Sequence, residues 1–219
     1  MRVATPADHD PHAGQPVLSA GAPLAEARAA MLLLHGRGAS ADDILRLADE
    51  WDAPGMAFLA PQAAGGSWYP QRFLAPLAAN EPWLSSALAR VGAVLAQITA
   101  AGVPLDRTIL LGFSQGACLA LEFAARNARR YGGVAGLSGG LIGPDDAPRD
   151  YAGSLAGTPI FLGCSDVDFH IPRERVQESR RVLAALGGDV TERLYPGMGH
   201  TINRDEIAAV QGMIAVLES

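Results

Sequence analysis

Hydrophobic positions along the chain fall into two alternating kinds of segment. Short apolar runs bounded by Gly, Pro or polar residues are typical of strands buried on both faces of a sheet. Longer segments with apolar residues at helical spacing are typical of helices that pack on such a sheet. The apolar runs predict strands at 29–35, 56–60, 107–112, 133–137, 159–163 and 190–195, with an edge strand at 17–19. The helical patterns predict helices at 41–51, 80–101, 115–127, 176–186 and 204–217.

The order of these elements predicts the class of fold. Strands that alternate with helices form a mostly parallel central sheet with helices on both faces. Two long segments, 61–79 and 139–156, interrupt the alternation, and loops of this length in a compact domain usually carry function. We therefore expect one α/β domain over residues 16–219, preceded by a disordered or loosely attached segment over residues 1–15.

Composition narrows the range of partners and locations. The 219 residues are 49% hydrophobic and 18% charged, which suits a large core and excludes wholesale disorder. A net charge of −6 without a run of Lys or Arg argues against nucleic acid and anionic membrane surfaces as partners. The N-terminal residues lack the apolar core of a secretory signal, and no apolar run reaches the roughly 18 residues that cross a bilayer. These features predict a cytoplasmic protein without stable membrane insertion, and they are compatible with a homodimer.

The cysteines and the first histidines of the chain give no indication of a metal site. Cys118 and Cys164 lie in apolar runs without C-x-x-C spacing, so they are expected to be small buried side chains, although a disulfide stays open here. His9 and His12 belong to the polar N-terminal segment and are expected to be solvated. His35 is expected to support the turn that follows it rather than to titrate.

A Gly-x-Ser-x-Gly motif at Gly112, Ser114 and Gly116 joins a predicted strand to a predicted helix. A sharp turn of this kind requires small residues two positions before and after the serine, and it exposes the hydroxyl above the sheet on a strained backbone. The alternative is an ordinary turn in which the serine caps the helix. The flanking strand and helix favour Ser114 as a nucleophile.

A nucleophilic serine needs a general base, and the base needs an acid that orients it. Downstream of Ser114 the histidines are His170 and His200, and His200 lies in a Gly-rich loop between the last strand and the last helix. Asp166 and Asp168 follow the penultimate predicted strand, and spacing alone does not choose between them. The chain order Ser, Asp, His is the order expected for a strand–turn–helix nucleophile.

The segment after the first buried strand supports two interpretations. Gly36-x-Gly38-x-x-Ala41 fits a dinucleotide-binding fingerprint, whereas a His-Gly turn offers backbone N–H groups to an oxyanion. A dinucleotide site requires an acidic residue roughly 20 residues on, and the next strand ends instead in Pro61-Gln62. The oxyanion interpretation also accounts for the downstream Ser, Asp and His, and it is therefore favoured.

Taken together, these motifs resemble those of the phospholipase/carboxylesterase family of α/β-hydrolases, which includes acyl-protein thioesterases and small bacterial carboxylesterases. The resemblance extends from about residue 18 to residue 217. It implies an α/β-hydrolase fold without a large lid, no metal and no cofactor, and a small-molecule ester or thioester as substrate. The motifs that carry it are His35-Gly-Arg-Gly, Gly112-Phe-Ser-Gln-Gly116, Asp168 to Pro172 and Gly197-Met-Gly-His200.

The resemblance also implies which residues form the catalytic triad. Ser114 and His200 match the family's nucleophile and base. The family's acid stands four residues before a proline, which implies Asp168 rather than Asp166. Phe169 departs from the pattern, because the family often has proline at this position.

Further site residues follow from the same resemblance. The backbone N–H groups of Arg37 and Gln115 match the family's oxyanion donors. The segment 61–73 matches a loop near the substrate pocket, so Trp68, Tyr69 and Phe73 are expected to line an acyl or alcohol site. An alternative with equal support is that these aromatic side chains fix a long loop to the sheet.

Three hypotheses for function remain at this point. The leading one is a serine hydrolase that cleaves carboxylic esters or thioesters through an acyl-enzyme intermediate. A hydrolase specialised for a lactone or an aromatic ester would use the same residues. A catalytically silent α/β-hydrolase used as a binding module is the alternative from another class, and it gives no reason for Ser114, Asp168 and His200 to occur together.

Overall fold

A computed structural model describes residues 10–219, and residues 1–9 lie outside the described part of the chain. The strands are Val17–Gly21 (β1), Ala29–Leu34 (β2), Met56–Pro61 (β3), Thr108–Phe113 (β4), Gly133–Leu137 (β5), Pro159–Ser165 (β6) and Asp189–Tyr195 (β7). The α-helices are Ala41–Leu45 (α1), Trp83–Ala100 (α2), Gln115–Arg126 (α3), Arg173–Ala185 (α4) and Arg204–Glu218 (α5). Short 3-10 helices occupy Arg46–Glu50, Ala64–Gly66, Leu77–Asn80 and Leu105–Arg107.

The strands form one seven-stranded sheet in the order β1-β3-β2-β4-β5-β6-β7. All neighbouring strands pair in parallel except β1, which is antiparallel to β3 at the edge of the sheet. The mostly parallel sheet and its edge strand were both predicted. Because the carboxyl ends of β2, β4, β6 and β7 meet at one edge, the loops that follow these strands lie close together.

Alternate residues of the buried strands face opposite layers of helices. In β2, Leu32 and Leu34 belong to a core shared with α2, α3 and α4, whereas Met31 and Leu33 belong to a core shared with α1 and α5. All residues of this strand are buried. The predicted arrangement of helices on both faces is therefore confirmed, and it explains why the strand sequences are apolar throughout.

Several element boundaries differ from the prediction for local reasons. The expected helix at 41–51 is an α-helix only to Leu45 and continues as a 3-10 helix to Glu50. Helix α2 begins at Trp83, directly after Pro82, because proline is tolerated where a helix starts but cannot donate a hydrogen bond inside one. Helix α4 begins at Arg173, after Pro172, for the same reason.

The expectation that no segment is long and apolar enough to cross a membrane is corrected for α2. Trp83–Ala100 passes on length and composition, with a mean hydropathy of 1.2 over 18 residues. Its buried side chains, including Leu84, Val91 and Ile98, belong to the core between the sheet and α3. Packing inside the domain therefore accounts for the apolar face of this helix.

The expectation that His12 is a solvated tail residue is wrong. Its side chain is fully buried, with Nε2 2.9 Å from the carbonyl oxygen of Trp68 and Nδ1 accepting the Ala64 N–H at 3.1 Å. Its backbone N–H donates to Ser86 Oγ at 3.0 Å. Burial lowers the pKa of His12, so the imidazole is neutral and carries its proton on Nε2. His12 thus fixes the chain to the loop after β3, while His9 lies outside the described residues.

Candidate active site

Ser114 lies in the sharp turn between β4 and α3, with φ 54° and ψ −117°. This left-handed φ is costly for a residue with a side chain and is typical of a strained nucleophile turn. The turn depends on the two glycines of the motif. A Cβ at Gly112 would collide with the backbone of Gly116, and a Cβ at Gly116 would collide with the carbonyl of Leu34.

The structure brings Ser114, His200 and Asp168 together in one chain of hydrogen bonds. His200 Nε2 lies 2.8 Å from Ser114 Oγ, and His200 Nδ1 lies 2.6 Å from Asp168 Oδ2. The three residues follow β4, β7 and β6, whose carboxyl ends meet at the same edge of the sheet. Because a carboxylate can only accept, it fixes the neutral imidazole with its proton on Nδ1 and leaves Nε2 to accept from the serine hydroxyl.

Asp168 is held as a carboxylate by its surroundings. Burial on its own would raise the pKa, but the hydrogen bonds from His200 and from the backbone N–H groups of His170 and Ile171 outweigh burial, and the pKa of Asp168 is lowered. The backbone N–H groups of His170 and Ile171 lie 2.8 and 3.1 Å from Oδ1. Asp168 therefore places a negative charge directly beside His200 Nδ1.

The neighbouring candidates Asp166 and His170 occupy other positions. Asp166 Oδ1 accepts the backbone N–H of Gly197 at 2.8 Å, which ties its loop to the loop that carries His200. The His170 ring packs edge-on against the His200 ring, with centroids 4.8 Å apart, and Phe113 packs on His200 at 5.0 Å. Asp166 thus supports the His200 loop, and His170 is a neighbour of the imidazole.

The turn after β2 lies beside the nucleophile. A Cβ at Gly36 would lie 3.4 Å from Ser114 Cβ, so the glycine allows the turn to approach the serine closely. The backbone N–H groups of Arg37 and Gln115 have no hydrogen-bond acceptor within residues 10–219. They are therefore free to donate to an oxygen bound next to Ser114.

His35 supports this turn through hydrogen bonds, as the sequence predicts. Its Nδ1 lies 2.8 Å from the carbonyl oxygen of Gly36, and its Nε2 accepts the backbone N–H of Ala63 at 3.1 Å. Burial lowers the pKa of His35, so the ring is neutral and carries its proton on Nδ1. The histidine therefore joins the turn after β2 to the loop after β3.

A cavity of about 250 Å³ opens over Ser114 and His200. Tyr69 and Phe73 lie in its wall, where the resemblance places substrate-binding aromatics. The other lining residues are Arg37, Arg72, Gln115, Cys118, His170 and Ile171.

The prediction that Trp68 lines this cavity is wrong. Trp68 is fully buried and donates from Nε1 to the carbonyl oxygen of His35 at 2.9 Å. Its backbone N–H donates to Oε1 of Gln115 at 2.9 Å. Trp68 therefore fixes the loop to the turn after β2, which is the alternative that the sequence left open for these aromatics.

Two polar side chains contribute to the site in ways that the sequence did not predict. The Gln115 amide also donates from Nε2 to the carbonyl oxygen of Tyr69 at 2.8 Å. The Arg37 guanidinium donates to the carbonyl oxygens of Tyr69 and Pro70, each at 2.9 Å, and of Gln71 at 2.5 Å. The residues expected to supply backbone donors therefore also hold the loop that forms one cavity wall. The sequence carried one signal of this role, because each residue with an expected donor N–H also has a long polar side chain.

The cysteines are buried and free, as predicted for small core side chains. Burial raises the pKa of the Cys118 thiol to about 12 and that of Cys164 to about 12. Both thiols are thus protonated at neutral pH and are poor nucleophiles. In the described part of the chain, no group of three or more His, Cys, Asp or Glu residues is arranged to hold a metal ion.

Comparisons with known proteins identify the family and the fold. The family model of phospholipases and carboxylesterases matches residues 18–218. A crystal structure of a phospholipase/carboxylesterase from Dyadobacter fermentans is 44% identical with a TM-score of 0.89, covering 92% of this chain and 97% of that one. The crystal structure of esterase PE8 is 27% identical with a TM-score of 0.75, covering 93% and 98%.

Curated relatives are matched over varying lengths. Acyl-protein thioesterase 1 of Gibberella zeae is 32% identical over 122 residues, which is 52% of this chain and 49% of the relative. This match thus spans about half the length of that relative. Acyl-protein thioesterase 1 of Yarrowia lipolytica is 25% identical over 201 residues, covering 83% and 88%. The expected α/β-hydrolase fold is confirmed, and the match over nearly the whole sequence shows that the chain belongs to the phospholipase/carboxylesterase family.

Proposed function

We propose that the protein is a serine hydrolase that cleaves carboxylic esters or thioesters through an acyl-enzyme intermediate. Ser114 is the nucleophile, His200 the general base and acid, and Asp168 the residue that orients His200. The observation that carries the proposal is the chain of hydrogen bonds from Ser114 Oγ through His200 to Asp168, at 2.8 and 2.6 Å, beside an open cavity. Membership of the family supports it independently.

In the first half of the reaction, Ser114 Oγ attacks the carbonyl carbon of the substrate while His200 Nε2 takes the hydroxyl proton. The carbonyl oxygen becomes an oxyanion, which the free backbone N–H groups of Arg37 and Gln115 stabilise. Asp168 stabilises the imidazolium that forms. When the tetrahedral intermediate collapses, the bond to the alcohol or thiol breaks, and His200 returns the proton to this leaving group.

In the second half, a water molecule replaces the alcohol or thiol. His200 Nε2 removes a proton from the water as its oxygen attacks the acyl carbon, and the same N–H groups stabilise the second oxyanion. Collapse of this intermediate breaks the bond to Ser114 Oγ, which regains its proton from His200. The free carboxylic acid leaves, and each step uses side chains and N–H groups of this chain.

The size of the cavity favours small substrates. A volume of about 250 Å³ is below the roughly 300–1,000 Å³ of sites that enclose drug-sized ligands. Its wall contains the aromatic rings of Tyr69 and Phe73. We therefore expect short acyl groups to be hydrolysed faster than long ones.

The test is turnover of the Ser114→Ala variant on a panel of acetate, butyrate and octanoate esters and thioesters. Loss of a triad nucleophile costs on the order of 10⁶ in turnover in subtilisin, so no activity should remain detectable above background. Cys118→Ala is the matched control, because Cys118 also lines the cavity but its thiol is protonated. A Ser114→Ala variant that folds and keeps a tenth of the turnover would overturn the proposal.

A cytoplasmic location and a homodimer remain predictions.

A further inference from the structure

The cavity over Ser114 differs in charge from the rest of the molecule. The protein has a net charge of −6. The described residues that line the cavity nevertheless include two arginines, Arg37 and Arg72, but no Asp or Glu. A cleft lined by groups of one sign concentrates ligands of the opposite sign. The cavity is thus suited to a substrate that carries a negative charge.

Arg37 contributes part of this positive charge, and contacts within the protein account for the position of its side chain. Its guanidinium donates to the backbone carbonyls of Tyr69, Pro70 and Gln71, so its hydrogen bonds support the loop. Because carbonyl groups carry no net charge, the positive charge of Arg37 is not neutralised by these partners. The side chain adds to the potential at the mouth of the cavity, but its donors are already occupied.

No comparable contacts account for the side chain of Arg72. Its side chain is exposed at the cavity and makes no hydrogen bond or ion pair with any residue from 10 to 219. Its backbone, by contrast, is well held. The Arg72 carbonyl accepts the Ala75 N–H at 3.0 Å and the Asn80 side-chain amide at 3.3 Å, and the Gln71 N–H donates to the buried Asn80 Oδ1 at 2.8 Å. A backbone held by these three hydrogen bonds thus presents a guanidinium without a partner in residues 10–219 at the wall of the site.

We propose that Arg72 is a specificity-determining residue that binds an anionic oxygen group, a carboxylate or a phosphate, on a small ester hydrolysed at Ser114. The guanidinium fork matches both anions through paired N–H donors. The open cavity of about 250 Å³ encloses only a small group beside Ser114, so a charged group bound within it lies within a few bonds of the ester. This inference rests on the proposed function, and it adds the chemical class of the substrate.

Three acetate esters with the same acyl group test the proposal. 4-Acetoxybenzoate carries a carboxylate, 4-acetoxyphenyl phosphate carries a phosphate, and 4-acetoxybenzamide is a neutral analogue of the first. The wild-type enzyme should show a kcat/KM at least tenfold higher for one of the anionic esters than for the amide, mainly through a lower KM. The anionic ester that gains this advantage identifies the preferred group.

The variant Arg72→Gln should lower the ratio of anionic to neutral kcat/KM about tenfold, the scale of one lost charge-assisted hydrogen bond. Arg180→Gln is the charge-matched control, because Arg180 is exposed on α4 and does not line the cavity. It should leave the ratio unchanged. A ratio that is the same in wild type and Arg72→Gln, or a wild-type preference for the amide, would overturn the proposal.

A binding measurement separates this inference from the proposed catalysis. Calorimetry with the Ser114→Ala variant should show tighter binding of the preferred anionic ester than of the amide, and Ser114→Ala combined with Arg72→Gln should lose that difference. This result would support the anion site even if no ester were hydrolysed. Equal affinity for anionic and neutral esters in the Ser114→Ala protein would refute the anion site while leaving the proposed triad intact.

Discussion

Asp168 Oδ2 lies 2.6 Å from Nδ1 of His200, whereas Asp166, two residues earlier, accepts the backbone N–H of Gly197. The two carboxylates follow the same strand and yet have different partners. One determines the tautomer of an imidazole, and the other supports the loop on which that imidazole lies.

This relationship predicts different outcomes for the two asparagine variants. Asp168→Asn should lower turnover by roughly 10⁴, the loss caused by the equivalent change in a chymotrypsin-type triad, because the neutral amide no longer fixes the tautomer of His200. Asp166→Asn keeps an acceptor for Gly197 and should cost far less. Turnover at saturating ester, with folding checked by circular dichroism, compares them. A severe loss in Asp166→Asn beside a mild one in Asp168→Asn would reverse the assignment.

The two neighbouring histidines give a second matched pair. His200→Ala should be nearly as damaging as loss of Ser114, because nucleophile and base act as one unit. His170→Ala removes a ring that lines the cavity and packs against His200 but hydrogen-bonds to neither Ser114 nor Asp168, so it should lose far less turnover on a neutral ester. Single-turnover kinetics with an acetate ester measures both. Equal losses in the two variants would show that His170 takes part in proton transfer.

Two aromatic residues of the loop after β3 are expected to have different roles, one in substrate selectivity and the other in stability. Phe73 lines the cavity, so Phe73→Ala should shift the preference toward longer acyl chains by enlarging the site. Trp68→Phe should instead lower the free energy of unfolding by about 1–3 kcal/mol, because it leaves the buried carbonyl of His35 without its donor. Urea denaturation and a chain-length profile of each variant provide the comparison. A changed profile in Trp68→Phe with unchanged stability would contradict this division.

Glu206 predicts a pH dependence of stability. It is fully buried at the start of α5, and burial raises its pKa from 4.5 to about 7. A carboxyl group with a raised pKa in the folded protein contributes stability that is fully present below pH 4.5 and is lost as pH rises through about 7. The buried neutral His12 and His35 act in the opposite direction, because their lowered pKa values favour the folded state above pH 6.5.

Comparison of wild type with Glu206→Gln isolates the contribution of this carboxyl group. Glutamine keeps an acceptor for the Asn203 N–H, which Glu206 accepts at 2.8 Å, but it cannot ionise. The wild-type Tm should fall more between pH 6 and pH 8.5 than the Tm of the variant. Parallel curves over this range would show that Glu206 does not titrate there.

The features that could be predicted from the sequence are those that depend on a local physical constraint. The strand–turn–helix context of Ser114 requires glycine on both sides, and the buried strands must be apolar on both faces, so the turn at Ser114 and the sheet could both be located. Asp168 and Asp166 could not be separated by chemistry, because both follow β6 and their partners come from a loop about 30 residues away. Only the resemblance to a family favoured Asp168, and the structure shows that the two carboxylates have different partners.

Other features depend on contacts that leave no periodic pattern. His12 belongs to a polar segment without helical or strand spacing, and its burial results from hydrogen bonds to Ala64, Trp68 and Ser86 far along the chain. Trp68 and Phe73 lie in one irregular loop, where no repeat indicates which ring faces the cavity. The free guanidinium of Arg72 likewise emerges only when the partners of neighbouring side chains are known.

Labelling with a fluorophosphonate probe, followed by mass spectrometry of the digested protein, tests the central claim most directly. The probe reacts with a serine whose hydroxyl is activated by a base, so wild type should carry a single adduct on Ser114, and His200→Ala should react far more slowly. His170→Ala should label much faster than His200→Ala. An adduct on another residue, or unmodified Ser114 in a preparation that hydrolyses esters, would contradict the account.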